Sequence, residues 1–459
     1  MSERQQSVTD GKAARVRAPL ESHREFHPAA SRDPVGLLLD QASSRSPELV
    51  PVRHGRMLVS PFTFYRGAAL PMAADLAGTP SSGLRVQLCG DAHLANFGVF
   101  GSPERRLVFD INDFDETLPG PFEWDVKRLA ASLVVAGRDN GFAAAQTRRA
   151  ALAAVARYRD AMREFADMPT MAVWYSRLDV EDTIARFKAR LKKREVRKSE
   201  SVAAKVRTRD STQAVAKLTR VTDGRREIIN DPPLIVPIEE LAAELAVDLS
   251  YAALRSLVSE YARTLAPDRQ HLLGQFRLTR VARKVVGVGS VGTQAWILLM
   301  EAEDGLAPLL LQAKQAQRSV LAAYAGESRY DNQGERVVSG QRLMQAASDI
   351  FLGWQRATEP GGQTDYYLRQ LRDWKYSAPI EQMDPATMAA YGELCGWTLA
   401  RAHARAGDRF AIAAYLGGSG KFGQAIADFG ETYADQTERD HTALAEAVAS
   451  GRAQATTGV

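Results

Sequence analysis

The amino-acid sequence predicts an α+β protein with a larger, mainly helical lobe and a smaller lobe built on an antiparallel sheet. Apolar residues recur at helical spacing through much of the first 275 residues and again near the C-terminus. After residue 275 the pattern changes to short strands separated by glycine-rich or Asp-Gly turns. The length of 459 residues is about three times that of an average domain, so at least two packed units are expected.

Composition indicates a globular protein and excludes several classes. Apolar residues make up 45% of the chain and charged residues 25%, unlike disordered proteins. Cys89 and Cys395 are far apart, which excludes a disulfide framework or a cysteine zinc site and favours a reducing, cytoplasmic location. Residues 1–28 lack the apolar segment of a secretory signal, and no apolar stretch approaches the roughly 20 residues of a membrane span.

The chain divides into four predicted segments. Residues 1–35 are polar and basic, and we expect them to be flexible. Residues 36–275 should form the helical lobe, residues 276–375 the small sheet, and residues 376–459 the C-terminal helices that complete the helical lobe.

Basic residues are concentrated between Arg186 and Glu227, with fifteen Lys and Arg against five Asp and Glu. The stretch favours helix and lacks the interleaved aromatic residues of a base-stacking surface. The net charge of the whole chain is only +4. We therefore interpret the stretch as a solvated helix face, with an anionic partner as the alternative, and do not expect nucleic acid to bind.

The first candidate site is GDAHLAN at residues 90–96, a polar loop after a short predicted strand. A carboxylate can orient the proton of an attacking hydroxyl, and an amide oxygen can bind Mg²⁺, so Asp91 and Asn96 at this spacing suit phosphoryl transfer. His93 lies between them as a second catalytic candidate. Asp and Asn are also common turn formers, which is the structural alternative.

The second candidate is FDINDFDE at residues 109–116, which places four carboxylates within seven residues at a strand end. Such crowding is costly without a cation, and Mg²⁺ is usually held by one or two carboxylates together with phosphate oxygens. The spacing alone leaves open which of Asp110 and Asp113 would hold the metal. A solvated acidic turn is the alternative.

The third candidate is GVGSVGT at residues 287–293, which contains Gly287, Gly289, Ser290 and Gly292. The sequence that follows has the composition of a strand, unlike the helix of a dinucleotide-binding motif. A strand, a glycine loop and a second strand are typical of the hairpin that covers nucleotide phosphates in protein kinases. A hairpin without a ligand is the alternative.

Lys314 lies inside an apolar strand, 22 residues after Gly292. A buried ammonium group requires a partner, and phosphate oxygens together with a helix carboxylate would provide one. Glu327 and Glu335 are the candidate carboxylates, and an outward-facing lysine is the alternative. Asp125, at the start of the helix after the acidic strand, fits N-terminal capping first and bracing of the catalytic loop second.

Three segments, CGDAHLANFG, FDINDFDET and GPFEWDVKRLAAS, together resemble the bacterial family named domain of unknown function 2252, from about Ser60 to the C-terminus. They are similar, more remotely, to the aminoglycoside and choline kinase branch of the kinase-like fold. The resemblance implies a two-lobed kinase-like fold with Asp91 as catalytic base, Asn96 and Asp113 as Mg²⁺ ligands, and Asp125 as a supporting residue.

The order of the motifs differs from that of ordinary kinases, because the glycine loop and its lysine follow the catalytic loop here. Circular permutation would explain this order, with the helix containing GWTLARAHARAG standing before the catalytic loop in space.

We therefore expect an ATP- and Mg²⁺-dependent phosphotransferase that acts on a small hydroxyl-bearing molecule. One alternative is a non-catalytic, kinase-like nucleotide-binding regulatory module. Another is a metal-dependent hydrolase, whose ligands would come from the following Asp/His cluster: Asp91, His93, Asp110, Asp113 and Asp115.

Overall fold

The computed structural model describes residues 2–187, 201, 206, 211–244, 250–285, 287–359, 362–371 and 374–458. Within the basic stretch, residues 188–200, 202–205 and 207–210 lie outside the described residues. The chain is α+β with several antiparallel sheets, as the sequence predicts. In the part of the chain that is described, no helix combines the length and the apolar character needed to span a bilayer.

The helices are α1 (Glu3–Arg17), α2 (Pro34–Ala42), α3 (Val50–Met57), α4 (Pro61–Gly67), α5 (Ala69–Ala77), α6 (Phe122–Asp139), α7 (Ala144–Asp167), α8 (Thr170–Tyr175), α9 (Val180–Phe187), α10 (Ser211–Leu218), α11 (Ile238–Glu244), α12 (Tyr251–Ala262), α13 (Pro267–Leu273), α14 (Ala322–Ala325), α15 (Gln333–Met344), α16 (Pro385–Ala406), α17 (Arg409–Leu416) and α18 (Lys421–Ala449). The strands are β1 (Arg85–Leu88), β2 (Phe97–Gly101), β3 (Leu107–Ile111), β4 (Leu118–Pro121), β5 (Leu178–Asp179), β6 (Thr219–Thr222), β7 (Arg225–Ile228), β8 (Ile235–Pro237), β9 (Phe276–Lys284), β10 (Ala295–Ala302), β11 (Leu309–Ala316), β12 (Gly353–Glu359) and β13 (Gly362–Gln370).

Helix α6 forms the centre of the larger core. Almost every residue from Phe122 to Gly137 is buried, because α7, α16 and α18 all pack against this helix. A helix enclosed in this way holds its side chains in fixed positions. The C-terminal helices thus lie beside helices from the first third of the chain.

Two short sheets position the polar segments on this helical body. Strand β1 pairs with β4, and β2 and β3 form an antiparallel hairpin that β5 extends. The register pairs Phe97 with Ile111. The loop before β2 and the loop after β3 therefore emerge at the same end of the hairpin.

The largest described sheet is antiparallel and has six strands in the order β12-β13-β11-β10-β9-β8. Successive residues of β11 face opposite sides, so Leu311 packs in a cluster with α12 and Leu310 in a cluster with α10. Strands β9, β10, β11 and β13 lie within residues 276–375, where the sequence predicts short strands. Strand β12 shows no clear strand pattern in the sequence, and β8 lies before residue 276, in the range expected to form the helical lobe.

The N-terminal segment differs from the prediction of a flexible lead-in. Residues 3–17 form α1, and the side chains of Ser2 and Gln5 form a capping box at its start. Ala14 is buried, and the guanidinium of Arg15 donates to the carbonyls of Ala414 and Tyr415. Helix α1 is thus attached to α17, which a polar composition alone does not reveal.

Candidate functional site

Three segments meet at one cleft. They are the polar loop (residues 90–96), the acidic loop (residues 112–117) and the glycine turn (residues 287–293). A cavity of about 110 Å³ lies between them. A larger cavity of about 1160 Å³ lies along the six-stranded sheet and shares Asp113 and Ser290 with the first. The cleft therefore combines a small polar end with a large chamber.

Asp91 is held in the polar loop by a charged partner from α6. Its Oδ1 accepts a hydrogen bond of 2.5 Å from Nε of Arg128. Burial raises the pKa of Asp91 to about 6, even though Arg128 acts in the opposite direction. A carboxylate with this pKa is ionised at neutral pH and still has a useful affinity for a proton.

His93 and Asn96 flank Asp91 in the small cavity. Nε2 of His93 is 3.5 Å from Oδ2 of Asp91, and burial lowers the pKa of His93 well below its ordinary value, so the imidazole is neutral. The amide nitrogen of Asn96 donates to the carbonyl of Asp91 at 2.8 Å. This contact orients the amide oxygen of Asn96 as the atom left for a cation.

Asp125 supports the polar loop from below. Its two carboxylate oxygens accept hydrogen bonds from the backbone N–H groups of Cys89 and Gly90. The imidazole of His403, on α16, lies 3.2 Å from the same carboxylate, and Tyr158 contacts the other ring nitrogen at 2.9 Å. These contacts join the loop to α6, α7 and α16, as a bracing residue requires.

The ammonium group of Lys314 contacts two carboxylates of the acidic loop. Its Nζ is 2.6 Å from Oδ2 of Asp115 and 3.7 Å from Oδ2 of Asp113. Burial alone would raise the pKa of Asp115, but Lys314 and the hydroxyl of Tyr367 lower it to about 2. The helix carboxylates proposed from sequence are therefore wrong as partners: Glu327 pairs with Arg318, and Glu335 lies in the first turn of α15.

Asp110 does not line the cleft. It is the last but one residue of β3, where its side chain is 1% exposed. Arg401 of α16 donates to its Oδ1 at 2.6 Å, and the backbone N–H of Ala346 donates to Oδ2. The inclusion of Asp110 among the metal ligands is thus corrected, because both of its oxygens are engaged in a buried contact.

The glycine turn closes the small cavity from the side of the sheet. Gly287 and Gly292 have φ angles of +68° and +89°, a region that L-residues rarely adopt. Val288 and Val291 are buried among residues of α2 to α4 and the turns between them. The hydroxyl of Ser290 donates to Oδ2 of Asp115 at 3.2 Å, so the turn and the acidic loop are in direct contact.

The chain was also compared with known proteins. Residues 45–447 match a family described as an uncharacterized protein conserved in bacteria, DUF2252. The chain belongs to the DUF2252 family. This confirms the family resemblance drawn from the sequence, and the match includes all the cleft residues named above. No curated protein and no solved structure matches the chain.

Two arginines of this DUF2252 protein were missed by sequence reasoning. Arg128 fixes Asp91, and its position three residues after Asp125 in an apolar helix is a signal that could have identified it. Arg336, on α15, donates to the carbonyls of Asp115, Thr117 and Gln317. It ties the acidic loop to the sheet, and no local motif marks it.

The donor set fits a magnesium ion in the cleft of this DUF2252 protein. Asp113 is 30% exposed, and its Oδ2 is free of hydrogen bonds within the described part of the chain. Asn96 presents an amide oxygen to the same cavity. The described residues contain no group of three His, Cys, Asp or Glu side chains that could form a complete protein cage. Mg²⁺ needs no such cage, since substrate phosphates and water complete its octahedron.

Proposed function

We propose that this DUF2252 protein is an ATP- and Mg²⁺-dependent phosphotransferase that acts on a small hydroxyl-bearing molecule. The observation that carries the proposal is the convergence of Ser290 and Lys314 on Asp115, whose Oδ2 lies 3.2 Å from the hydroxyl of Ser290 and 2.6 Å from Nζ of Lys314. These residues come from a glycine turn, an apolar strand and an acidic loop that are up to 199 residues apart. A glycine loop, a strand lysine and a metal-binding aspartate are the parts that hold nucleotide phosphates in kinases.

Each part of the cleft receives a role. The large cavity would hold the nucleoside, and the triphosphate would extend beneath the glycine turn, whose backbone at Gly287, Gly289 and Gly292 allows close approach. Lys314 would exchange part of its contact with Asp115 for phosphate oxygens. Bound Mg²⁺ would neutralise phosphate charge, and Asn96 and Asp113 would hold it.

Asp91 is the candidate base. Its Oδ1 is occupied by Arg128, whereas its Oδ2 makes only the 3.5 Å contact with His93 among the described residues. That second oxygen can accept a hydrogen bond from an acceptor hydroxyl and take its proton during transfer. Neutral His93 limits the space around this oxygen without competing for the proton.

The arrangement of elements also supports a circularly permuted kinase-like fold. The glycine turn joins β9 and β10, Lys314 lies on β11, and α15 follows, which is the order of loop, lysine strand and helix in kinases. Helix α16 contacts β1 and, through His403, the residue that braces the polar loop. These contacts support the proposal that α16 serves as the helix before the catalytic loop, although it comes near the end of the chain.

The two alternatives differ in what they leave unexplained. A metal-dependent hydrolase would need Asp110 as a ligand, and it leaves the glycine turn and Lys314 without a role. A regulatory nucleotide-binding module would explain the glycine turn. It would not explain why Asp91 has a raised pKa of about 6 and a carboxylate oxygen, Oδ2, that is open to an acceptor. Consumption of ATP in the presence of a metabolite mixture separates the module from an enzyme.

Asp91→Asn tests the proposal, because asparagine keeps the shape and can still contact Arg128. We expect turnover to fall at least about 100-fold, since a positioned base contributes about that factor, while Mg-ATP affinity measured by calorimetry stays near that of the parent. Asp435→Asn, at an exposed ion pair far from the cleft, is the control. Full turnover by Asp91→Asn would exclude this residue as the base.

The pH profile gives an independent check. The base must be ionised, and its pKa is about 6, so kcat/KM should fall as pH decreases below about 6 and level off above 7. Asp91→Asn should lose this limb of the profile. A parent profile that is flat from pH 5 to 8 would contradict the role given to Asp91.

A further inference from the structure

Three arginines line the small cavity together with its carboxylates. Arg45 follows α2, Arg53 lies in α3 and Arg66 in α4. Arg45 is 8% exposed and Arg53 is fully buried, whereas Arg66 is partly buried. None of them belongs to the glycine turn, the lysine strand or the two loops that define the proposed phosphotransferase site.

The hydrogen bonds of these guanidinium groups are incomplete. Arg45 donates through Nη1 to the carbonyl of Val291. Arg53 donates through Nη2 to Oε1 of Gln41 and to the carbonyl of Gly67. Nε of all three arginines and Nη1 of Arg53 are buried and have no hydrogen-bond partner in the part of the chain that is described. Within the described residues, no carboxylate lies at ion-pair distance from any of the three.

This arrangement is costly unless an anion is bound. A buried charge without a counter-charge destabilises the fold, and neighbouring cations add repulsion. Burial lowers the pKa of Arg53 well below its ordinary value and that of Arg45 to about 10, and also lowers the pKa of Arg66. Four carboxylates line the same cavity, Asp91, Asp113, Asp115 and Glu116. Among the described residues they act on the arginines only from beyond ion-pair distance: Glu116 and Asp115 attract Arg45, and Asp91 attracts Arg66.

We propose that Arg45, Arg53 and Arg66 form a binding site for a phosphate group at the end of the cleft. Guanidinium groups suit this ligand because their planar N–H donors match phosphate oxygens. The cavity of about 110 Å³ can contain such a group next to Asp91 and Asn96. This inference rests on the proposed function, because the arginine site lies in the cleft assigned to the phosphotransferase. The bound phosphate is either the terminal phosphate of the nucleotide or one carried by the acceptor.

Arg66→Gln is the test variant, because Arg66 has no hydrogen-bond partner among the described residues and its loss should not unfold the protein. Calorimetry would measure binding of inorganic phosphate to the full chain at constant ionic strength, alone, with Mg-ADP and with Mg-ATP. We expect the variant to bind phosphate at least about tenfold more weakly than the parent, which is the loss typical of one charged hydrogen bond. Arg318→Gln, at an exposed ion pair with Glu327, is the matched control.

The ligand combinations distinguish the two sources. If inorganic phosphate binds in the presence of Mg-ADP but not of Mg-ATP, it occupies the site of the terminal nucleotide phosphate. In that case Arg66→Gln should weaken the binding of Mg-ATP but not the binding of Mg-ADP. Phosphate that still binds with saturating Mg-ATP occupies an acceptor site. Equal phosphate affinity in Arg66→Gln and the parent, or no phosphate binding to the parent in any combination, would overturn the inference.

The result is also separable from the proposed function. If the parent binds phosphate in an Arg66-dependent way but neither binds nor consumes ATP, the phosphotransferase proposal fails while the arginine site stands. Arg45→Gln provides a second variant. Arg45 lines the same cavity and donates to the carbonyl of Val291 in the glycine turn. The variant should weaken phosphate binding in the same direction, and thermal unfolding of both variants shows whether the fold is kept.

Discussion

Gly90 illustrates how one residue fixes the geometry of the polar loop. Its φ angle is +84°, and a Cβ atom at this position would lie 2.3 Å from the carbonyl oxygen of Glu116. Gly141 has a similar φ of +75° but no atom within 4 Å of the same point. An alanine at Gly141 would therefore meet backbone strain alone, whereas an alanine at Gly90 would meet both strain and steric overlap.

We expect Gly141→Ala to destabilise the protein by about 1 kcal/mol through strain alone. Gly90→Ala should cost at least about 2 kcal/mol more, because the polar and acidic loops must move apart, and it should also lower turnover. Urea unfolding of both variants measures the difference in the free energy of unfolding. Equal losses would show that the close approach at Gly90 is not important.

Residue identities in the cleft could be predicted where local spacing carries the chemistry. Asp91, Asn96, Asp113 and Lys314 all lie where the motifs place them, at the cleft. The family resemblance favoured Asp113 over Asp110, but the physical reason could not be read from sequence, because it is the contact of Asp110 with Arg401, 291 residues away. The partner of Lys314 was wrong for the same reason: it is set by tertiary contact and not by a neighbouring helix.

At the scale of elements, the short 3-10 turn Leu20–Arg24 connects α1 to the helical body. His23 is buried there against Tyr415 and Phe422, and its Nε2 is 2.5 Å from the hydroxyl of Tyr415. Burial, with a smaller contribution from Lys127, lowers the pKa of His23 to about 3. The folded state thus holds this imidazole neutral, whereas the unfolded chain can protonate it near pH 6.5.

The depressed pKa of His23 makes stability fall as pH decreases. Between pH 7 and pH 5 the unfolded state gains a proton that the folded state does not accept, which costs about 2 kcal/mol of stability. We expect His23→Gln to lose stability less steeply over this range, with other buried histidines contributing equally to both proteins. Urea unfolding at the two pH values measures this, and parallel losses in the two proteins would contradict it.

Elements with clear periodicity were predicted, and those stabilised only by distant contacts were not. Strands β9, β10 and β11 and helices α16 and α18 show their patterns directly. Helix α1 is polar and gains its stability from the capping box and from contacts of Arg15 with α17. Strand β12 is a polar edge strand, which has little of the apolar alternation that marks a central strand.

At the scale of the whole molecule, the cleft is assembled from segments that are far apart in sequence. The polar loop and acidic loop come from the first quarter of the chain, the glycine turn and Lys314 from a sheet 200 residues later, and the arginines from the N-terminal helices. The kinase-like resemblance suggested that the first four would meet. Nothing in the sequence suggested the arginine wall, because Arg45 lies after α2, Arg53 in α3 and Arg66 in α4, and the three share no motif.

The most direct test of the central claim is a crystal structure of the protein with Mg²⁺ and a non-hydrolysable ATP analogue. We predict that the triphosphate lies between Ser290 and Asp113, with one of its oxygens close to Lys314. The metal ion should be bound by Asn96 and Asp113. A nucleotide bound elsewhere on the surface, or a triphosphate that contacts neither the glycine turn nor the acidic loop, would contradict the account.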